Sequence, residues 1–254
     1  MSKKFKLGVV GDPIEHSLSP FIHSRFSRNE NVSLNYLAYK VKNDDFDIFI
    51  KEFFHDKEAK GLNITLPHKK KAASLEGEIS QEARYINAVN TVLNETDKLH
   101  LFSTDGVGFI KDIENKKFNL KNKNILIIGA GAAVESILYR VANAKPMKIT
   151  VINRTIEKAD RLIRKFGNMT KIESGVDMDK PFDLIINGSS AGLTGDFFPE
   201  ENIPLTSKAY FYDLNYSLTE TPFCKWAKEK SDNVYDGMGM LVYQAAYSFE
   251  KWFN

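Results

Sequence analysis

NILIIGAGAAVESILYRVANAKPMKITVINRT, residues 124–155, is the stretch around which the chain is organised. An apolar run, Ile125 to Ile128, meets Gly129-Ala130-Gly131; a helix-like segment follows from Ala132 to Ala144, broken at Pro146, and a second β-rich run spans Ile149 to Ile152. The order reads strand, tight glycine turn, helix, strand. Glycines at 129 and 131 permit the turn and let backbone amides approach a ligand, and the next helix aims its positive end at the same spot, which suits a pyrophosphate. The pattern is G-x-G-x-x-V, with Val134 where a third Gly or Ala is usual, so a plain strand-to-helix turn also fits.

The second strand of such a unit ends near the adenosine ribose, where a carboxylate accepts from a free 2′-hydroxyl. Here it ends Asn153-Arg154-Thr155, with no carboxylate before Glu157. A cationic fork suits a 2′-phosphate and points to NADP over NAD. The competing reading makes Thr155 a helix cap and leaves Arg154 solvated.

The 254 residues allow one large or two modest domains. A net charge of +2 and 43% hydrophobic residues describe an ordinary globular protein, with nothing that demands nucleic acid or an anionic membrane. No apolar stretch approaches membrane-spanning length and the MSKKFK start lacks a signal core, so a cytoplasmic protein is expected. The single cysteine, Cys224, excludes internal disulfides and Cys-cluster metal sites; between Phe223 and Trp226 it reads as a packed side chain. No metal site is expected, and redox chemistry falls to a cofactor.

Ahead of the central stretch, Lys6 to Val10 reads as a strand ending in Gly11-Asp12-Pro13. Ser19 as N-cap and Pro20 at the first helical position then start a helix through Arg28. Leu34 to Val41 is a strand, Asp44 to Phe54 has helical spacing, and Gly61 to Leu66 is a strand stopped by Pro67 before His68-Lys69-Lys70-Lys71. Alternating strand and helix implies a mostly parallel sheet, with ligands at the carboxyl ends of its strands. Lys69 lies at one such end, although four basic residues in a row also fit a solvated helix face. Gln81 to Ala88 reads as helix, and Asn90 to Leu93 with Leu99 to Phe102 as a hairpin. Asp105 either caps the helix beginning near Gly106 or does chemistry.

Beyond it, Asp183 to Ile186 is a strand ending in Asn187-Gly188-Ser189-Ser190-Ala191-Gly192, small residues past which a nicotinamide end could run. Ala209 to Leu214 is a strand, Pro222 to Lys230 a helix, Asn233 to Tyr235 a strand, 236–240 a glycine turn, and Leu241 to Trp252 an amphipathic helix carrying Gln244.

Taken in order, Gly11-Asp12-Pro13-Ile14-Glu15-His16-Ser17-Leu18-Ser19-Pro20, Asn63-Ile64-Thr65-Leu66-Pro67-His68-Lys69, Ala88-Val89-Asn90-Thr91, Thr104-Asp105-Gly106, Gly129-Ala130-Gly131, Asn153-Arg154-Thr155 and Gly237-Met238-Gly239-Met240-Leu241 with Gln244 resemble the NADP-dependent shikimate dehydrogenase family over nearly the whole chain. The resemblance implies an α/β fold of two domains with a cleft between them. Residues 1–105, rejoined by the C-terminal helix 238–254, form the substrate and catalytic domain, and 106–237 a Rossmann-type NADP-binding domain. It implies Lys69 and Asp105 as catalytic residues. The substrate site it implies is Ser17, Ser19, Thr65, Lys69, Asn90, Asp105, Tyr216 and Gln244. The cofactor site it implies is Gly129, Ala130, Gly131, Ala132, Ala133, Asn153, Arg154, Thr155, Lys158, Leu214 and Gly237.

Departures from the family pattern are His68 at a frequent aromatic position, Asn87 for a usual Gly, Ser103 for the Asn before Thr-Asp, and Ala132 for a Gly in the cofactor turn. The implied reaction is the reversible NADPH-dependent reduction of 3-dehydroshikimate to shikimate by a monomer or homodimer acting on a small molecule. Reducing a ring ketone with hydride creates an alkoxide, so a proton donor must lie within reach of that oxygen, and an ammonium such as that of Lys69 supplies it. A quinate/shikimate dehydrogenase with relaxed cofactor use, and a non-catalytic NADP-binding regulator on the same fold, stand as alternatives.

Overall fold

The computed structural model describes residues 4–175, 180–189 and 203–254. Two compact units account for them: the chain up to Gly108 together with Val242–Asn254, and Phe109–Leu241. Both crossings fall inside helices, which is why no turn signal in the sequence marks them.

The first unit is built on strands β1 (Phe5–Gly11), β2 (Leu34–Lys40), β3 (Ala59–Ile64), β4 (Glu78–Ile79), β5 (Thr91–Glu95) and β6 (Lys98–Phe102), in the sheet order β2-β1-β3-β5-β6-β4. β1 runs parallel to β2 and β3, whereas β5 is antiparallel to both β3 and β6. The sheet is therefore mixed where the sequence implied a mostly parallel one, because β5 and β6 form the expected hairpin. Its turn residues Thr96 and Asp97 have φ of 49° and 62°, the conformation that matches a two-residue loop to strand twist.

Side chains alternate across β1. Leu7 and Val9 join Ile14, Tyr36 and Trp252 in one buried cluster, while Val10 joins Phe46, Ile50, Phe53, Leu62, Val92 and Leu101 in another. Helix α1 (Ser19–Asn29) starts at Ser19 itself, with Leu18 at the cap position and no side-chain cap, so Ser19 is not the N-cap the sequence predicted. The Ser17 hydroxyl takes the Ser19 amide instead, at 3.3 Å. Helix α2 (Phe46–His55) follows a short 3-10 turn, α3 (Lys69–Ala72) is a single turn, and α4 (Gln81–Ile86) is capped by the Ser80 side chain.

Two departures from the family pattern have physical accounts here. Asn87 closes α4 in the left-handed region, φ 56°, which asparagine tolerates better than other side chains. His68 is fully buried and stacks on Phe46 with ring centroids 4.8 Å apart, while its Nε2 donates to the Val41 carbonyl. It packs as the aromatic ring expected at that position would.

Helix α5 (Asp105–Asn115) leads into the second unit, whose strands are β7 (Asn124–Ile128), β8 (Lys148–Ile152), β9 (Ile172–Ser174), β10 (Phe182–Asn187), β11 (Leu205–Asp213) and β12 (Val234–Tyr235). All pairings are parallel, and the order β9-β8-β7-β10-β11-β12 reverses direction between β7 and β10. That is the doubly wound dinucleotide-binding arrangement, with its switch point beside the first strand. Helices α6 (Ala132–Asn143) and α7 (Ile156–Phe166) bury Val134, Ile137, Leu138, Val141, Leu162 and Phe166. Helix α8 (Pro222–Lys228) buries Phe223, Trp226 and Cys224, whose thiol is pushed up to about 11 by burial, so the cysteine is a packed side chain as expected.

The glycine turn expected over 236–240 is a turn only as far as Gly237. Helix α9 (Met238–Phe253) already contains Met238, Gly239 and Met240, and the Asp236 carboxylate accepts from the Met238 amide at 3.1 Å. Gly239 serves packing rather than turning, since a Cβ there would lie 2.1 Å from Asp112 Oδ1. At its other end α9 places Trp252 against the first sheet, where its indole N–H donates to the Val92 carbonyl at 2.9 Å.

Candidate active site

In the first unit the carboxyl ends of β1, β3 and β6 and the amino end of β5 fall along one edge of the sheet, because β5 alone runs against its neighbours. That topology gathers Ser17, Thr65, Lys69, Asn90 and Asp105. Lys69, on α3, extends its ammonium to Asp105 Oδ2 at 2.6 Å, the two side chains being 21% and 10% exposed. The second oxygen of Asp105 accepts from Asn90 Nδ2 at 2.9 Å. Asn90 Nδ2 also reaches Thr104 Oγ1 at 2.9 Å and Gln244 Oε1 at 3.3 Å. Of the four consecutive basic residues, Lys69 alone faces this cluster. Lys71 turns to Asp47 and the Asn43 carbonyl, and Lys70 is exposed.

Beneath these residues lies a buried layer that sequence reasoning missed. Asn63 Oδ1 accepts from Tyr36 at 2.7 Å and meets His23 Nε2 at 3.1 Å, while Nδ2 reaches the Asn90 carbonyl, Thr91 Oγ1 and Ser248 Oγ within 3.2 Å. Ser248 Oγ also lies 2.7 Å from Thr91 Oγ1 and 3.2 Å from Thr104 Oγ1. A signal existed: Ser248 stands four residues after Gln244, on the same helical face. Burial drives His23 down to about 3, and its Nδ1 has no partner. Ser19 is buried, whereas Ser17 and Thr65 are half-buried.

In the second unit Gly129 has φ 105°, and a Cβ there would sit 2.9 Å from Gly188 and Ser189 backbone atoms, so the turn requires glycine twice over. Val134 is accommodated in place of the usual small residue because position 188 is glycine; a Cβ at 188 would meet Val134 Cγ2 at 2.3 Å. The turn is held by Asn153, whose Oδ1 accepts from the Ala130 amide at 3.0 Å and whose Nδ2 donates to the Thr155 carbonyl. Gly131 caps α6 without a side chain, and Ala132 and Ala133 are exposed. Glu135, the one acid in the first turn of α6, is tied to Lys165 at 2.8 Å and Arg161 at 3.3 Å, which offsets its repulsion of an anion.

Arg154 and Lys158 are exposed beside this turn, and Thr155 occupies the cap position of α7 without using its side chain. Leu214 donates its amide to Asn187, and Gly237 lies so close to the Leu214 carbonyl that a Cβ would be 2.5 Å away. Tyr216, also on this unit, is half-buried, and burial raises its phenol. Of the small-residue run after β10, Ser190, Ala191 and Gly192 lie outside the described residues.

These features fit a dinucleotide: a bare turn at a helix N-terminus for a pyrophosphate, and two exposed cations with no carboxylate at the end of β8 for a phosphorylated ribose. No group of three or more His, Cys, Asp or Glu that could hold a metal ion occurs among the described residues. None of their helices is long and apolar enough to cross a membrane.

The fold and these clusters define an α/β protein with one nucleotide-binding unit and one unit bearing a partly buried Lys-Asp pair. Residues 9–92 match the shikimate dehydrogenase substrate binding domain, 112–194 the shikimate / quinate 5-dehydrogenase family, and 237–254 the shikimate 5'-dehydrogenase C-terminal domain. The shikimate dehydrogenase (NADP(+)) of Hahella chejuensis is 40% identical over 248 residues, covering 96% of this chain and 92% of that protein. Among solved structures, an Ael1 enzyme from Pseudomonas putida is 34% identical with a TM-score of 0.88, covering 98% of this chain and 93% of that one. The shikimate 5-dehydrogenase of Thermus thermophilus in complex with NADP(H) and shikimate is 30% identical with a TM-score of 0.87, over 98% and 93%. The chain belongs to the shikimate dehydrogenase family.

Proposed function

We propose that the protein catalyses the reversible NADPH-dependent reduction of 3-dehydroshikimate to shikimate, in the cytoplasm and on the route to aromatic amino acids. The observation that carries this reading is the Lys69–Asp105 pair held by Asn90 at the ligand-bearing edge of the first sheet. The first unit is the substrate unit and the second the cofactor unit.

Residues Gly129 to Ala133 take the pyrophosphate, Arg154 and Lys158 the 2′-phosphate, with Asn153 and Thr155 shaping the adenosine end and Leu214 and Gly237 the nicotinamide end. The bound cofactor supplies the hydride. Lys69 donates a proton to the ring oxygen as negative charge develops there, and its amine takes that proton back in the oxidative direction. Asp105 fixes the ammonium against that oxygen and accepts from a ring hydroxyl. Ser17, Ser19 and Tyr216 take the substrate carboxylate, and Thr65, Asn90 and Gln244 the remaining hydroxyls. The Asn90 amide is already shared among three acceptors, so a substrate hydroxyl enters by replacing the longest of them, Gln244 Oε1. An analogue lacking a hydroxyl would leave such buried groups unpaired and is rejected accordingly.

Following reduced-nicotinamide absorbance with shikimate or quinate and with NADP+ or NAD+, in all four pairings, tests the reading. Turnover with shikimate and NADP+ well above the other three is expected. No turnover in any pairing, despite measurable NADPH binding, would overturn it in favour of a binding protein.

A further inference from the structure

Asp213 ends β11, is fully buried, and among the described residues none of its hydrogen-bond partners is a cation. Its Oδ1 accepts from Asn187 Nδ2 at 2.9 Å, from the Asn215 amide at 3.0 Å and from Asn215 Nδ2 at 2.9 Å, and its Oδ2 accepts from Thr221 Oγ1 at 2.7 Å. The backbone fixes these roles. Asn187 Oδ1 accepts the Ser189 amide, so its NH2 faces Asp213; Asn215 Nδ2 also donates to the Ser189 carbonyl; and Thr221 Oγ1 accepts the Cys224 amide, which turns its proton to Asp213. Burial pushes the carboxyl upward, and four donors aimed at it oppose that shift. The arrangement suits an ionised carboxylate whose charge is solvated by dipoles and not cancelled by a counter-ion.

In a sheet of this order each half carries one mononucleotide. Arg154, at the end of β8, assigns the adenosine half to β7, β8 and β9, which leaves the ends of β10 and β11 to the nicotinamide half. The Asp213 network ties those two ends together, and Gly188 and Ser189 within it press against Gly129. We infer that Asp213 is a specificity-determining residue that, through its uncancelled buried charge, favours the cationic nicotinamide of NADP+ over the neutral ring of NADPH. The inference rests on the reading of the second unit as the NADP(H) unit. Electrostatic attraction needs no direct contact in a low-dielectric interior, whereas the 2′-phosphate contacts are the same for both redox forms and cancel in the ratio of their affinities.

The test titrates the whole protein with NADP+ and with NADPH by calorimetry. Asp213→Asn keeps the shape and removes the charge. Asn215→Lys, at a half-buried position, keeps the carboxylate and sets a cation beside it, so either variant suffices if the other does not fold. The ratio of the NADP+ to the NADPH dissociation constant should rise about threefold or more in both. Thr221→Val, which removes a donor but not the charge, should lower the melting temperature and leave the ratio in place. Equal weakening of both redox forms by Asp213→Asn and Asn215→Lys would overturn the inference alone and make Asp213 structural. Binding of neither form by the unaltered protein would overturn the functional reading and the inference with it.

Discussion

Lys69 Nζ lies 2.6 Å from Asp105 Oδ2, and the two residues follow different strands of the first sheet: α3 follows β3, and α5 follows β6. The pair exists because β5 reverses direction and brings the end of β6 to the edge where β3 ends. Replacing Lys69 by alanine deletes the proposed proton donor and leaves Asp105 with Asn90. Turnover should fall by about 10² to 10⁴-fold, the range for loss of a general acid, while NADPH affinity measured by fluorescence stays within about twofold. Near-normal turnover would remove Lys69 from the mechanism.

Ser248 joins Asn63, Thr91 and Thr104, three residues on three segments that end at the candidate site. Ser248→Ala leaves these buried groups short of a partner, and unsatisfied buried polar groups cost about 1–3 kcal/mol. A drop of that size in denaturant-unfolding free energy is expected, together with a raised KM for shikimate as Asn90 and Thr104 lose support. Unchanged stability would mean that the layer closes around the missing hydroxyl.

Much of this architecture was legible in the sequence, and the parts that were not share a cause. Gly129-Ala130-Gly131 announced its turn because a positive φ at the end of an apolar run is a local demand that glycine meets. The 94–98 link announced its hairpin because two strand-like runs flank a polar pair. The residues assigned to the candidate site on the first unit were picked out by their place in ordered motifs, and α7 was foreshadowed by Thr155. By contrast, Asn63, Ser248 and Asp213 look like ordinary polar residues in strands and a helix. What makes them special is burial among partners distant in sequence, up to 185 positions for Asn63 and Ser248. Gly239 misled for the complementary reason. Its glycine answers to the Asp112 carboxylate across a helix contact, and sequence has no local way to tell that from a turn.

Arg154 and Lys158 are exposed cations near the turn that Asn153 braces. Arg154→Ala should weaken NADPH binding by about tenfold, the loss of one charge-assisted pair, and barely alter NADH binding. Titration of both cofactors against both proteins checks it. A comparable loss for NADH would place the arginine against the adenine or the pyrophosphate instead of a 2′-phosphate.

His23 gives the protein a built-in acid sensitivity. Its ring is fully buried, stacked on Tyr36 at 4.3 Å, with Nε2 on Asn63 and Nδ1 without a partner, and desolvation lowers its pKa from 6.5 to about 3. The unfolded chain therefore binds a proton that the native state refuses throughout the interval between those values. The neutral histidine's contribution is complete above pH 6.5 and is lost as the pH falls towards 3, at about 1.4 kcal/mol per pH unit while only the unfolded form is protonated. His23→Phe removes the titration and keeps an aromatic ring against Tyr36, at the expense of one hydrogen bond to Asn63. The variant should be less stable than the parent at pH 8, and the gap should narrow as the pH is lowered from 6.5 to 4.5. Denaturant unfolding of both proteins across that range measures the gap directly; two curves that stay parallel would mean His23 binds its proton in the folded state as readily as in the unfolded one.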